Sequence, residues 1–453
     1  MTNQHSDLFA WRAPVALFLS IFFLVLPPLA ARAEINIQHV ISPKGVTAWL
    51  VEDHTVPTIA IHFVFDGGTA QDPDGKEGLA NLMTGLFHEG AGELDSDAFQ
   101  VKLDDASVAM SFEAQHDGTH GSIRMLSEKK DAAFDLLTLA VGRPRFDKTP
   151  VDRVRAQVLS GIIANERNPE VIADGKWLRA IYGEHPYSRP HEGTRQSVAA
   201  ITTQDLSAFH KANFAREGLY VGVVGDIDAA TLRQKLDQVF GDLPEKQALA
   251  PVADIEPKLG QQLEVDYNLS QTKLHFTYPG VNPSAPDYFA GMLMNDILGG
   301  QALTSRLFDE VREKRGLAYG VGSFLVDDRH SNALVISTST RSDRASETLS
   351  IIRDVVEKMA QEGPTQAELE AAKKHLTGAF AIDYLASSSA IAETLLGLQF
   401  EGRGTDYMQR RASLIDAVTL NDVKAVAKKL LSASPAVMIV GPTLPPNGKD
   451  GNG

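Results

Sequence analysis

Apolar runs rich in β-branched and aromatic residues recur along the chain. Two of them open the halves of the chain, and each of these precedes a segment with helical periodicity. VPTIAIHFVFDGG (Val56–Gly68) and QTKLHFTYPGV (Gln271–Val281) predict strands, and Gly75–Glu89 and Asp287–Leu298 predict the helices that follow them. Val108–Ala114 and Thr119–Met125 predict a hairpin. Ser127–Val141, Pro150–Asn165 and Glu170–Tyr182 predict consecutive helices. The second half repeats this order, with strands at Gly316–Val326 and Ala333–Thr340 and helices from Ser342 to Leu431. Ala199–Asp226 and Asp416–Pro442 share one design: Thr, two residues, Asp, an apolar-periodic helix, then a β-rich run ending in Gly. Thr-x-x-Asp has the spacing of a capping box.

Self-similarity on this scale predicts a duplicated domain rather than a solenoid. Segregated strands and helices predict an α+β class, each half an antiparallel-rich sheet packed with helices on one side. Asp242–Gly260 carries three prolines and no strong periodicity, which marks a linker. The expected division is a signal peptide (1–33), an N-terminal domain (34–243), a linker (244–259), a C-terminal domain (260–445) and a flexible tail (446–453).

The first segment is set apart by composition. Arg12 precedes the run VALFLSIFFLVL (Val15–Leu26), Pro27 and Pro28 end it, and Ala31-Arg32-Ala33 offers an A-x-A cleavage site. Such a run is short for a bilayer span and predicts a secretory signal cleaved near Ala33, hence a periplasmic protein. An uncleaved membrane anchor is the competing reading. No second apolar run is long enough to span a membrane, so no membrane association is expected after signal removal. The formal charge of −15 excludes a basic nucleic-acid footprint. With no cysteine, disulfides, thiol catalysis and thiolate metal sites are excluded.

Residues 67–92, GGTAQDPDGKEGLANLMTGLFHEGAG, resemble the zinc-site helix of the inverted-motif metallopeptidases of the pitrilysin and insulysin type, which include processing peptidases. Their pattern at this place is G-x-A-H-x-x-E-H. Two His four apart grip one zinc, the Glu between them serves as base, and a Glu from a later helix is the third ligand. The resemblance puts the first His position on Asn81, the Glu position on Thr84 and the second His position on Gly85. In RVRAQVLSGIIANERNPE the third-ligand position falls on Gly161. Zinc ligands and base are thus absent together, and no metal or other cofactor is expected in this chain. His88-Glu89 are adjacent and do not converge on one ion. His116 and His120 flank Gly118 in a predicted hairpin turn. His185 and His191 fall in GEHPYSRPHEG, which reads as a structured loop.

In the second half, RLFDEVREKRGLAYGV resembles the place where the family's Arg and Tyr, seven residues apart, reach a zinc site; here they are Arg312 and Tyr319. Leu303, Leu307 and Val311 read as one helical stripe, with Gly316 as its stop. From local sequence alone, Arg312 would be a surface charge and Tyr319 a core aromatic. The resemblance makes them a catalytic pair. A phenol O–H stabilises an oxyanion, and a guanidinium fork holds a substrate carbonyl.

The resemblance implies a zinc-less, non-catalytic subunit of a heterodimer. Its partner would be a homologous subunit carrying H-x-x-E-H and the zinc, and its substrate a peptide. The emptied helix would survive as scaffold through Leu79, Leu82, Met83, Leu86 and Phe87. Three readings compete. One is a zinc-independent peptide-binding clamshell using the edge at Val108–Ala114. Another is a structural subunit like those of respiratory complexes. The last is an unrelated enzyme, which the absence of a G-x-S-x-G elbow or phosphate loop disfavours.

Overall fold

A computed structural model describes residues 35–300 and 303–444 of the chain. The expected signal peptide (1–33) and the tail (446–453) lie outside the described residues. The apolar runs become strands because β-branched and aromatic side chains pack well on a pleated surface. They are β1 (Gln38–Ile41), β2 (Thr47–Glu52), β3 (Thr58–Asp66), β4 (Ala109–Ala114), β5 (Gly118–Leu126), β6 (Leu219–Gly225), β7 (Gln262–Asp266), β8 (Gln271–Pro279), β9 (Ala318–Asp328), β10 (Ser331–Arg341) and β11 (Ala436–Gly441). The first sheet has the order β1-β2-β6-β3-β5-β4, the second β7-β11-β8-β10-β9. Without β1 the two orders coincide. The pairs β2/β6 and β7/β11 are parallel and the other pairs antiparallel. The protein is α+β, with two domains of one topology.

Each sheet packs its own helices on one face. In the first, Phe63, Phe65 and Leu50 meet Phe134, Leu206 and Phe240. In the second, Leu274, Phe276 and Ile336 meet Leu293, Ile352 and Val426. Both expected capping boxes form, at Thr202/Asp205 and Thr419/Asp422.

The opposite faces are covered by exchange. The helix Ser388–Phe400 of the second half lays Ala392, Leu395 and Leu398 against Trp49, Ala60 and Val224 of the first sheet. Gly222 permits the approach: a Cβ there would lie 2.3 Å from the Ala392 carbonyl oxygen. In return the helix Pro169–Tyr182 of the first half lays Trp177 and Ile181 against Met438 and Val440. The turn between β9 and β10 also reaches across. Arg329 pairs with Asp66 at 2.8 Å, its N–H donates to Asp117 at 3.0 Å, and the Tyr187 hydroxyl donates to Asp117 at 2.6 Å.

Residues 244–259 hold no regular element. They form a strap bonded to both halves, through Gln247 to the Asp66 carbonyl (2.8 Å) and through Ile255 N–H to the His330 carbonyl (2.8 Å). No described helix is long and apolar enough to cross a membrane.

Two expectations are corrected. The helix expected over Gly75–Glu89 spans only Leu79–Thr84, because Gly85, a weak helix former, ends it and tighter turns follow. Leu303 does not join the stripe of Leu307 and Val311. It precedes the helical turn and is 70% exposed.

Candidate functional site

Asp72 sets the emptied helix. Its carboxylate accepts from the N–H groups of Gly78 (2.7 Å) and Ala80 (2.9 Å), satisfying donors that open the helix. Burial pushes the Asp72 carboxyl up to about 7, against those bonds. The sequence analysis missed this residue, although an acid shortly before Gly78-Leu79-Ala80 was a usable signal.

The helix then buries Leu79, Leu82 and Met83, and the turns after it bury Leu86 and Phe87. Asn81 is half-buried. The Thr84 hydroxyl is turned back onto the Asn81 carbonyl at 2.8 Å. Gly85 faces Val154, whose Cγ1 lies 3.1 Å from where a Cβ would stand. Gly161, seven residues beyond Val154 and so on the same side of the helix Lys148–Asn165, is exposed with open space before it. An amide, a satisfied hydroxyl and two glycines do not fit zinc, which takes imidazole, carboxylate or thiolate ligands. Among the described residues no three His, Asp or Glu side chains converge on a point that could hold a metal.

Three of the other candidates, Glu89, His116 and His185, are held by structural contacts. Glu89, next to His88, accepts from Arg153 and from Ser96 (2.6 Å). Burial raises its carboxyl, and these bonds bring it below the usual range. His116 stacks on Tyr187 with centroids 4.7 Å apart. His185 accepts the Tyr187 N–H through Nδ1 at 3.2 Å and meets the Ala253 carbonyl through Nε2 at 2.8 Å.

Arg312 and Tyr319 meet. The guanidinium carbon lies over the Tyr319 ring, 5.0 Å from its centroid, and over that of Phe308 at 4.7 Å, so the cation contacts both aromatic faces. Its carboxylate neighbour, among the described residues, is Glu313 at 3.9 Å. Tyr319 is 89% exposed, so it is not the core strand aromatic that local sequence suggested. The pair opens onto a groove of about 1030 Å³ lined also by Gln271, Lys273, Ser339 and Arg341.

Two backbone irregularities bring them together. Arg312 lies in a π-helical stretch, Phe308–Glu313, where Lys314 N–H reaches back to the Asp309 carbonyl at 2.9 Å. Gly316 follows with φ +60°, a conformation that favours glycine, and turns the chain into β9. There the β9/β10 ladder slips: Ala318 faces Thr340 and Val321 faces Thr338. Tyr319 and Gly320 thus stand opposite Ser339 alone, a β-bulge. π-Helical turns and bulges both concentrate at functional sites, where they re-aim side chains. Chemically, a phenol donor and a guanidinium fork facing an open groove can bind the backbone carbonyls of an extended peptide.

Comparison with known proteins agrees with this architecture. The profile described as Insulinase (Peptidase family M16) matches residues 47–195, and that described as Peptidase M16 inactive domain matches residues 200–376. An uncharacterized zinc protease of Mycobacterium bovis is 30% identical over 68% of this chain and 71% of its own length. The non-peptidase homolog YmxG of Helicobacter pylori is 22% identical over 91% of this chain and 94% of its own. The crystal structure of a peptidase M16 inactive domain from Pseudomonas fluorescens superposes with a TM-score of 0.84 at 30% identity, covering 90% of this chain and 98% of that one. The chain belongs to peptidase family M16.

Proposed function

We propose that the chain is the non-catalytic subunit of a periplasmic heterodimeric zinc metallopeptidase, completing the active site of a zinc-bearing homologous subunit and helping to bind its peptide substrate. One observation carries the reading. Arg312 and Tyr319 are assembled by a π-helical stretch and a bulge and displayed to solvent, while the positions assigned to the zinc set hold no ligand. In the mixed complex, metal and base belong to the partner. From this chain, the Tyr319 hydroxyl donates to the scissile carbonyl oxygen as it gains negative charge, and Arg312 holds a neighbouring peptide carbonyl and orients the phenol. Export is supported by the signal-like segment before Glu34.

The test is Tyr319→Phe in the mixed complex. Loss of one oxyanion donor should lower kcat by roughly a hundredfold with partner affinity unchanged. Unchanged turnover removes Tyr319 from the mechanism. A second reading, a zinc-independent peptide-binding clamshell, is favoured by β4, which forms an open edge of the first sheet. It requires metal-free peptide binding by the isolated chain, and absence of such binding eliminates it.

A further inference from the structure

On β10, Leu334 and Ile336 face the helical core, and Thr338 and Thr340 continue that alternation into the same interior. Both threonines are buried, 6% and 1% exposed. A buried hydroxyl is costly without a partner, and a valine would fill the same space without that cost. The partners here are specific. Thr338 Oγ1 donates to the Gly320 carbonyl at 2.7 Å, and Thr340 Oγ1 donates to the Leu317 carbonyl at 2.6 Å. The Thr348 hydroxyl lies 3.1 Å from Thr340 Oγ1 and 3.0 Å from the Arg344 carbonyl, and its single proton serves one of these acceptors at a time. The two carbonyls bracket Ala318, Tyr319 and Gly320, the place where the ladder loses its regular pairing.

The bulge decides where Tyr319 points. In a regular strand, residues 318 and 321 would face opposite sides, because side chains alternate. Here Ala318 and Val321 both pack into the helical core, and the extra residue lets Tyr319 and Gly320 stand away from it. Without the bulge the alternation would close up, turning either Ala318 or the segment from Val321 onward out of the core. The two threonines donate to the carbonyls that flank the slipped residues, those of Leu317 and Gly320.

We infer that Thr338 and Thr340 are positioning residues: their hydroxyls fix the β9 bulge and thereby aim Tyr319 and its contact with Arg312 into the groove. This rests on the proposed role of Tyr319, and it makes a separate structural claim about how the ring is held.

The experiment compares Thr338→Val, Thr338→Ser and Tyr319→Phe, singly and with Tyr319→Phe combined with Thr338→Val. Turnover is measured in the complex with the zinc-bearing subunit, and a crystal structure of the Thr338→Val chain is solved. Thr338→Val should lower kcat by about tenfold with KM and partner affinity unchanged, since a small misplacement of a catalytic group is enough to do so. Thr338→Ser should restore the rate. The double variant should be no slower than Tyr319→Phe alone, because both changes act through one group. The Thr338→Val crystal structure should show the ladder re-registered or Tyr319 moved off Arg312. An unchanged bulge and ring in Thr338→Val overturns the inference, whatever the kinetics. So does a full additive loss in the double variant. If Tyr319→Phe leaves turnover intact, the proposed role of Tyr319 fails, and the crystal structure still decides whether the threonine holds the ring.

Discussion

The two halves place the same elements side by side and finish them differently. In the first half the helix Ser96–Ala106 ends on Ser107 at φ 55°, and β4 pairs with β5 in unbroken register from Ala109 to Ala114. In the second half the equivalent stretch is π-helical, ends on Gly316 at φ +60°, and enters a strand that slips one residue against β10. Counted from the left-handed residue, Leu103 occupies the place of Arg312 and Met110 the place of Tyr319. Leu103 is buried. The fold therefore does not require the irregularities, since the first half makes the same turn without them. They appear where a guanidinium and a phenol are presented, as expected when local regularity is given up for a site. In the first half the opposite has happened: a helix whose assigned site positions carry no ligand keeps its buried face.

That contrast can be broken by mutation. Phe87→Ala, in the turns after the emptied helix, should destabilise the protein by about 3–5 kcal/mol, because the ring is fully buried. Tyr319→Ala should cost less than about 0.5 kcal/mol, as an exposed side chain does. Chemical denaturation of both variants measures the difference, and comparable losses would make Tyr319 a packing residue.

The anchor of the π-helical stretch is pH-dependent. Arg306 donates through Nε (2.7 Å) and Nη2 (2.8 Å) to Glu368, which also accepts from Thr365. Arg306 first, then Thr365, hold the Glu368 carboxyl down to about 2 against burial. A depressed carboxyl stabilises the fold above its unfolded value near 4.5, and that contribution is lost as pH falls toward 2. After allowance for solvent screening it should be about 2 kcal/mol. Glu368→Gln should flatten the acid limb of a stability profile.

Arg312→Lys keeps the charge and loses the planar fork, so turnover of the mixed complex should fall by about tenfold. A lysine variant of full activity would leave the guanidinium geometry without a role.

The smallest effect is expected where the halves touch. Burial, then the charges of Asp117 and Asp327, push the Asp328 carboxyl up to about 6. A raised carboxyl favours the fold while protonated, so stability declines as pH rises from about 4 through 6. Asp328→Asn should add roughly 1 kcal/mol at pH 8 and nothing at pH 4. Equal effects at both pH values would show that the carboxylate charge is not the cause.

Most strand positions, both capping boxes and the duplication were legible in the sequence, because each is written in local residue patterns; β1, β2 and β7 were not read. The pairing of Arg312 with Tyr319 was also within reach, since a short turn joins them. The π-helical stretch and the bulge were not, because pattern reading assumes one hydrogen-bond repeat per element. Helix exchange between the halves was equally hidden. Nothing within Ser388–Phe400 says that Ala392 will lie against Gly222, and only long-range packing decides it. The shortened helix at Leu79–Thr84 could have been found: Gly85 was visible, and its weak helix propensity outweighed the apolar period that continues through Leu86 and Phe87.

The central claim is that the missing half of the site lies on another chain. Tagging the protein in its native cell and isolating it, with identification of bound chains and zinc analysis, tests this directly. The account predicts an equimolar homologous subunit carrying H-x-x-E-H and about one zinc per pair. Recovery of the chain alone and free of metal would contradict it.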